Sequence, residues 1–446
     1  MGESHGPAVP ENGRVEKPPH LVDVSFMTDG QCVQHTEPTP LALVLLLGSL
    51  TALGPLAIDM YLPSMQALGR SLHASPGEVG ATLATFFAGL GIGQLVCGPL
   101  SDRVGRRGPI IFGAVLYVVG SALCSLAPSI WLLLGARILQ AFGGSATQVV
   151  ARASVRDRFN HRMAARVLSL LMLVLGIAPI VAPLFGGYLL LVGSWRSIFA
   201  FQSFIGLVVL VVAILGLRET STPEMRDHAS RQRLRKTFHY LLTHPRVVGF
   251  ALAGAFNSGA FMAWVAMSSY VLIQVYGVTP SNFGWWFGAN AVGFIGMSQV
   301  NAHLLRWHTP EDVLVYARPV AIVSALALVF DSVTRLGGML GVIIPLYVTL
   351  GSTGLVGPNT QAAAMNVDPT HAGSISSLVG ASAFGVGAIV STFAGFVHDG
   401  SPKPLAVLVL VMTLASSAAL YGMAQPIFVR SRRDGLRKPA ARADAR

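Results

Sequence analysis

Gly98-Pro99-Leu100-Ser101-Asp102-Arg103-Val104-Gly105-Arg106-Arg107 fills a short gap between two long apolar runs, residues 78–100 and 109–127. Glycines, one acid and three arginines are concentrated in a single turn. A turn that merely joins two helices needs a polar residue or two; it does not need this spacing. Outward from the gap, the same layout continues in both directions. Apolar stretches long enough to cross a bilayer, about 20 residues each, alternate with short charged connections. Charged residues make up 11% of the chain, against about 25% in a soluble protein, and mean hydropathy is +0.60. Backbone polar groups in lipid must be paired within the spanning element, so the spans are expected to be helices. The alternating ten-residue pattern of a membrane β-barrel is absent.

Twelve apolar runs can be marked, at 41–62, 78–100, 109–127, 130–152, 164–190, 197–217, 247–273, 281–303, 314–333, 338–360, 372–397 and 404–424. Ala127-Pro128-Ser129 is a tight turn between the third and fourth. Residues 218–246 are charged, lack apolar periodicity and read as a linker. A worn counterpart of the opening motif, Asn301-Ala302-His303-Leu304-Leu305-Arg306, follows the eighth run. The expected architecture is an all-α polytopic membrane protein of twelve helices in two six-helix pseudo-repeat bundles. Its parts would be a disordered tail at 1–40, a bundle at 41–217, the linker at 218–246, a second bundle at 247–424 and a basic tail at 425–446. Residues 1–40 have no contiguous apolar core and read as neither signal peptide nor span.

Lysine and arginine set orientation. With the N-terminus inside, 26 fall on the cytoplasmic side and four, Arg70, Arg196, Arg335 and Lys403, on the outer side. Both termini are therefore expected in the cytoplasm. The net charge of +11 is explained by these loops and does not point to nucleic acid. Of the cysteines Cys32, Cys97 and Cys124, the last two lie in apolar runs, so no disulfide framework is implied.

Two charges stand well inside apolar runs, away from the residues near the run ends: Asp59 in the first and Arg137 in the fourth. A charge near mid-span costs ~2.5–3.5 kcal/mol on insertion scales and is retained for a function. For Asp59, near the outer end of its span, the competing reading is a side chain that reaches headgroups; Arg137, about eight residues into its run, needs a polar cavity. A carboxylate in a partly dry cavity beside a guanidinium can change protonation as the cavity opens to each side. The two read as a coupled pair for proton exchange. Arginine keeps its proton, so Arg137 would tune Asp59, bind substrate or hold water.

These stretches resemble a known family. The 98–107 loop resembles the G-x-L-x-D-R-x-G-R-R loop of the major facilitator superfamily. Asp59-Met60-Tyr61-Leu62-Pro63 is similar to the first-span signature of Bcr/CflA-type drug-resistance transporters, among the twelve-span drug:proton antiporters. Arg137-Ile138-Leu139-Gln140-Ala141-Phe142-Gly143-Gly144 looks like the family's second motif, whose arginine is implicated in proton coupling. Val155-Arg156-Asp157 and Trp195-Arg196-Ser197-Ile198-Phe199 also match, and the stretch from Gly176 through Pro179 and Pro183 to Gly186-Gly187 resembles the antiporter motif of exporters. The resemblance spans 41 to about 424 and is specific in the first half. Departures are the His308-Thr309-Pro310-Glu311-Asp312 loop, where basic residues are usual, and a seventh span without a carboxylate.

The resemblance implies a cytoplasmic gating loop. Gly98 and Gly105 would permit close approach and positive φ, Asp102 would face the dipole of the eleventh span near Ala372-Gly373-Ser374, and Arg106, beside Arg107, would pair with Asp157. Together they would latch the two halves in the outward-facing state. Gly176, Gly186 and Gly187 would pack tightly on a neighbouring helix while Pro179 and Pro183 each remove a helical hydrogen bond. Asn257, Phe261 and Trp264 on the seventh span and Asn290 on the eighth share helix faces and are candidates for a substrate cavity, with Tyr61 and Gln140 beside the charged pair; packing or lipid contact is the competing reading for the aromatics.

The function expected is proton-coupled efflux of small amphipathic drugs of the phenicol or bicyclomycin class across the bacterial inner membrane. The alternative is a dedicated exporter or importer of one metabolite. No Ser/His pair, carboxylate dyad or metal cluster lies in a span, so an enzyme is not expected. No G-x-x-x-x-G-K-[ST] loop occurs, so ATP drive is not expected either. The partners implied are substrate, protons and membrane lipid, with no cofactor, no metal and no nucleic acid, and the unit is expected to be a monomer.

Overall fold

A computed structural model of the chain describes Gly2 and residues 41–424, apart from 160, 225, 227–233 and 398. The tails expected at 1–40 and 425–446 lie, Gly2 aside, outside the described residues. Twelve long helices carry the fold, and no strand occurs among the described residues. They are α1 (Leu41–Asp59), α2 (Pro76–Val104), α3 (Arg107–Leu126), α4 (Ile130–Arg158), α5 (His161–Val192) and α6 (Trp195–Gly216). The second set is α7 (Pro245–Ser269), α8 (Pro280–Leu304), α9 (Pro310–Thr334), α10 (Gly338–Val367), α11 (Ala372–Phe396) and α12 (Lys403–Ala419). Among the described residues, ten spans are long and apolar enough to cross a membrane.

Local chemistry starts these helices where the chain needs them. Pro76, Pro245, Pro280 and Pro310 open α2, α7, α8 and α9, a position where the missing N–H breaks no helical bond. Ser75 with Glu78, and Thr309 with Asp312, form reciprocal capping boxes. The acids after His308 are thus partly the start signal of α9. α1 behaves differently. It stops at Asp59, makes one tight turn at Leu62–Ser64 and continues as the short helix Met65–Ser71.

Helix pairs in one half recur six helices later in the other. α1 packs on α4, α5 and α6 as α7 packs on α10, α11 and α12; α2–α4, α3–α4 and α3–α6 recur as α8–α10, α9–α10 and α9–α12. The halves meet along two seams, α2–α11 and α5–α8, which the same shift exchanges. This is the two-fold pseudo-repeat expected from the run pattern.

The 218–246 segment differs from expectation. It holds a helix, Leu234–Thr243, with Leu241 buried in a cluster with Val247, Phe250 and Ile375. Leu234, Phe238 and Leu241 stand at i, i+4 and i+7, a stripe too short to register amid so many charges.

Glycines set how closely the seams approach. A methyl on Gly80 (α2) would lie 2.7 Å from the Cα of Gly395 (α11), and one on Gly395 would lie 2.9 Å from the Gly77 carbonyl oxygen. On the other seam, a methyl on Gly187 (α5) would lie 2.6 Å from the Pro280 oxygen, and one on Gly284 (α8) 2.6 Å from the Leu184 nitrogen. All these contacts sit at the end of the bundle remote from the 98–107 loop. That end is closed backbone to backbone. Gly80→Leu should therefore lower thermal stability in detergent by an overpacking cost of about 1–3 kcal/mol. Gly135→Leu, whose added side chain would start with nothing within 4 Å, should melt with the wild type; equal melting of the two variants would contradict the seam.

Candidate functional site

Arg137 lies on α4 and is wholly buried. The place is set by α1. A helix that ends inside the bundle leaves carbonyls with no partner in its own backbone. Arg137 Nη1 donates to the Ala57 carbonyl at 3.0 Å, and Gln202 Nε2 from α6 donates at 3.3 Å to the Leu56 carbonyl, which also accepts the Met60 N–H at 3.2 Å. A cation at a helix C-terminus also complements the dipole. The same Nη1 donates to Gln140 Oε1 at 2.8 Å, and Gln140 Nε2 donates to Ser121 Oγ at 2.8 Å and Gln202 Oε1 at 2.9 Å. This network ties α1, α3, α4 and α6 together inside one half.

Aromatic rings surround the guanidinium. Its carbon lies 4.1 Å from the ring centre of Phe86, 4.9 Å from Tyr61 and 5.6 Å from Phe199. Such faces favour a cation where water is excluded. Nε and Nη2 remain without a hydrogen-bond partner. Arg137 makes no ion pair among the described residues.

Asp59, the last residue of α1, is 6% exposed. A carboxylate simply reaching for headgroups would be far more open than this. It has no hydrogen bond and no ion pair among the described residues, so the two charges read as a coupled pair are not joined by a salt bridge. The two charges are joined instead through backbone: Arg137 grips the carbonyl two residues before Asp59. The next residue, Met60, packs with Ala182 and Ile198, and a side chain on Gly186 of α5 would collide with its carbonyl.

Tyr61 and Gln140, expected to face a cavity, are fully buried in the Arg137 network. Tyr61 shares a 2.5 Å hydrogen bond with Thr82. The side chains that end an intramembrane helix are needed for pairing and packing and leave none over for a cavity wall. In the other half, Trp264 is fully buried and stacks on Phe287 at 6.0 Å, while Phe261, half-buried, meets Phe294 at 6.2 Å. The aromatics of α7 and α8 thus face each other. Asn257 and Asn290 are both buried, and Asn290 Nδ2 has no partner.

At the loop, the expected ion pair is present: Arg106 Nε meets Asp157 at 2.6 Å. Arg106 Nη1 meets Asp102 at 2.5 Å and donates to Ser101 Oγ. Burial opposes the charge on Arg106, but the bonds to Asp157 and Asp102 outweigh it and hold the guanidinium above its ordinary value. Asp102 and the start of α11 lie on the walls of one cavity, whereas the expected approach belongs to the outward-facing state. Asp102 is 49% exposed, and the cavity, of about 570 Å³, lies among Asp102, Arg106, Gly373, Ser374 and residues 236–238 of the linker helix. The charge cluster therefore binds one half together and does not latch the two halves in this conformation. Gly105 has the expected positive φ of +97°, whereas Gly98 lies in α2.

Glu219, just beyond α6, was not foreseen. Its oxygens accept the backbone N–H of Arg106 at 2.8 Å and of Arg107 at 3.1 Å, at the start of α3. Any side chain on Gly105 would strike this carboxylate, at 2.6 Å. Burial opposes its charge, but the backbone donors of Arg106, Ser221, Arg107 and Thr220 hold the carboxyl below the usual glutamate range. Arg107 Nη2 donates to the Ile214 carbonyl at 3.0 Å, tying α3 to α6.

The prolines of α5, Pro179 and Pro183, lie within an uninterrupted helix. Gly176 faces Ile295 of α8, Gly187 faces Pro280, and Gly186 faces Met60, so all three glycines serve close packing. The second-half loop has no charge cluster to match the first; Asn301 instead accepts from Asn359 Nδ2 at 2.6 Å. Arg318, one of the 26 basic residues assigned above to the cytoplasmic side, is 1% exposed inside α9. It donates to Ser416 of α12 at 2.7 Å, and Ser416 donates to the Ala253 carbonyl of α7.

Twelve helices in two interlocked repeats, with buried charges and no strand among the described residues, define a membrane carrier of repeat architecture. Residues 47–392 match the Major Facilitator Superfamily profile, and the chain belongs to that family. It is 35% identical over 386 residues to the uncharacterized MFS-type transporter YdgK of Bacillus subtilis, covering 86% of this chain and 95% of that protein. It is 30% identical over 378 residues to the bicyclomycin resistance protein homolog of Haemophilus influenzae, with 85% and 95% covered. It is also 30% identical over 312 residues to a chloramphenicol resistance protein of Pseudomonas aeruginosa, with 69% and 72% covered. A D-xylose-proton symporter structure superposes with a TM-score of 0.68 at 13% identity, covering 85% of this chain and 97% of that one; this likeness is one of fold.

Glu219→Ala should lower stability at pH 7 by about 0.5–1 kcal/mol, since part of the carboxylate is open to water. The carboxyl is depressed in the fold, so its contribution is complete above the unfolded value of about 4.3 and fades as pH falls through the lower folded value. The gap between wild-type and variant melting temperatures should close in acid; a gap that stays constant with pH would contradict the cap.

Proposed function

We propose that this protein exports small amphipathic antibacterial compounds across the bacterial inner membrane in exchange for protons, without a resident cofactor. The observation that carries the reading is the pairing of two intramembrane charges without an ion pair: Asp59, unpartnered in a dry site, at the end of a helix turn held by Arg137. Burying an isolated carboxylate is costly, and a proton removes that cost. Loading and loss of a proton at Asp59 would thus be felt by α1, by Arg137 and, through Met60, by α5. Arg137 keeps its own proton and acts by holding the turn. The relatives named for bicyclomycin and chloramphenicol resistance support the substrate class.

Alternating access supplies the movement. The excess of lysine and arginine assigns the 98–107 end to the cytoplasm. In this conformation the outer ends of both seams are packed through glycines and a cavity lies beside Asp102 at the inner end. In the opposite conformation Asp102 would cross that cavity to the start of α11 while the outer seams part. The aromatics of α7 and α8, with Asn257 and Asn290, are the residues we assign to substrate contact, because they face each other across the second half near the α5–α8 seam.

A susceptibility panel in an efflux-deficient bacterium tests this reading. Cells expressing the wild type should resist one or more compounds; protonophore, Asp59→Asn and Arg137→Ala should each abolish the resistance at matched protein levels. Resistance retained by Asp59→Asn would contradict the proton site. No resistance to any compound from well-inserted wild type would favour a carrier dedicated to one metabolite.

A further inference from the structure

A groove of about 710 Å³ runs along the outside of the second half between α8 and α9, with α10 as its floor. We propose that it is a binding site for one acyl chain of a phospholipid from the leaflet at the 98–107 end, with the headgroup lying against His308 and Tyr316.

Chemistry selects an alkyl chain. The wall is formed by side chains such as Met297, Val300, Val320, Ile344 and Val348. The few polar atoms nearby are satisfied elsewhere: Ser352 Oγ donates to the Thr349 carbonyl and the Tyr347 hydroxyl turns away to the Trp286 carbonyl. Nothing in the wall asks for a hydrogen bond, so a polar ligand gains nothing there. Val320 and Ile344 are more than half exposed on a surface that faces hydrocarbon.

Length selects one leaflet. The groove follows α8 from Gly293 to Leu304 and α10 from Ile344 to Leu355, in each case about 17 Å at the helical rise of about 1.5 Å per residue. Half of a hydrocarbon core of about 30 Å is about 15 Å. The polar end is in register: His308 and Tyr316 stack edge to face at 6.2 Å at the mouth nearest the loop. Exposed Trp307 beside them is a residue type suited to the interface.

Glycines make the space along this groove. Side chains built on Gly293 and Gly296 would meet nothing within 4 Å and would project into the groove. In the counterpart trio α2, α3 and α4, a methyl on Gly113 would lie 2.6 Å from Ala146, one on Gly120 2.5 Å from Gln140, and one on Gly93 2.6 Å from Ser145. The repeat that closes this face with glycines in the first half leaves it open in the second.

The test is native mass spectrometry of the full-length protein, purified in mild detergent and supplied with 1-palmitoyl-2-oleoyl phosphatidylethanolamine. Gly296→Leu and the double variant Gly293→Leu/Gly296→Leu should retain one phospholipid fewer than the wild type. Gly135→Leu, a lipid-facing change in the first half, should retain as many as the wild type. Gly296→Leu alone decides the question should the double variant fail to fold, because its added side chain has open space. Equal retention by all proteins would overturn the proposal. Equal retention together with loss of transport in Gly296→Leu would overturn it too, and would assign the groove to a transported compound.

Discussion

A helix that ends within a membrane must hand its last carbonyls to something other than water. α1 ends at Asp59, and the structure answers with Arg137 and Gln202, from α4 and α6, on the Ala57 and Leu56 carbonyls. In hydrocarbon an unpaired backbone group costs several kcal/mol, so Arg137 is fixed by the need of the Ala57 carbonyl, while Gln202 adds a second donor to the Leu56 carbonyl that the Met60 N–H already reaches. The rest of the half is arranged around that requirement. Gln140 and Ser121 complete the network, and Phe86, Tyr61 and Phe199 shield the guanidinium. Asp59 is left at the free edge of the turn, with neither hydrogen bond nor ion pair.

This arrangement gives the two intramembrane charges different tasks. A salt bridge between them would satisfy both and hold both still. Separated, Arg137 is held by the Ala57 carbonyl and Gln140, and in the proposed cycle Asp59 is the one that changes state. Met60 links the turn to Gly186 on α5, and α5 forms one of the two seams between halves. Chemistry at the end of α1 therefore has a short mechanical path to the surface along which the halves move. At the opposite end of the bundle, Arg106, Asp102, Asp157 and Glu219 form a rigid block within the first half. The cavity beside this block separates it from α11.

The architecture was legible because a bilayer writes it plainly: helix lengths, charge-poor runs and a two-fold order all follow from the cost of placing polar groups in lipid. The Arg106–Asp157 pair and the positive φ of Gly105 were legible through family resemblance. Other features were hidden for definite reasons. Gln202 and Glu219 act on backbone far away in sequence, and a glutamine in an apolar run or a glutamate after one carries no local signature. Arg318 stands eight residues beyond Pro310 at the start of α9; it was counted among the cytoplasmic charges because it lies only four residues into the run read as 314–333. Asp102 was placed against α11 because the motif describes a different conformation of the gate. Tyr61 and Gln140 were assigned to a cavity by nearness to charge, whereas burial assigns them to the network that anchors α1.

The central claim is that Asp59 surrenders a proton when substrate is bound. Calorimetric titration of purified protein with a compound identified by susceptibility, repeated in buffers of different ionisation enthalpy, measures proton release directly. The account predicts release by the wild type and none by Asp59→Asn, with the variant still binding the compound. Undiminished release by Asp59→Asn would contradict it and move the proton site elsewhere.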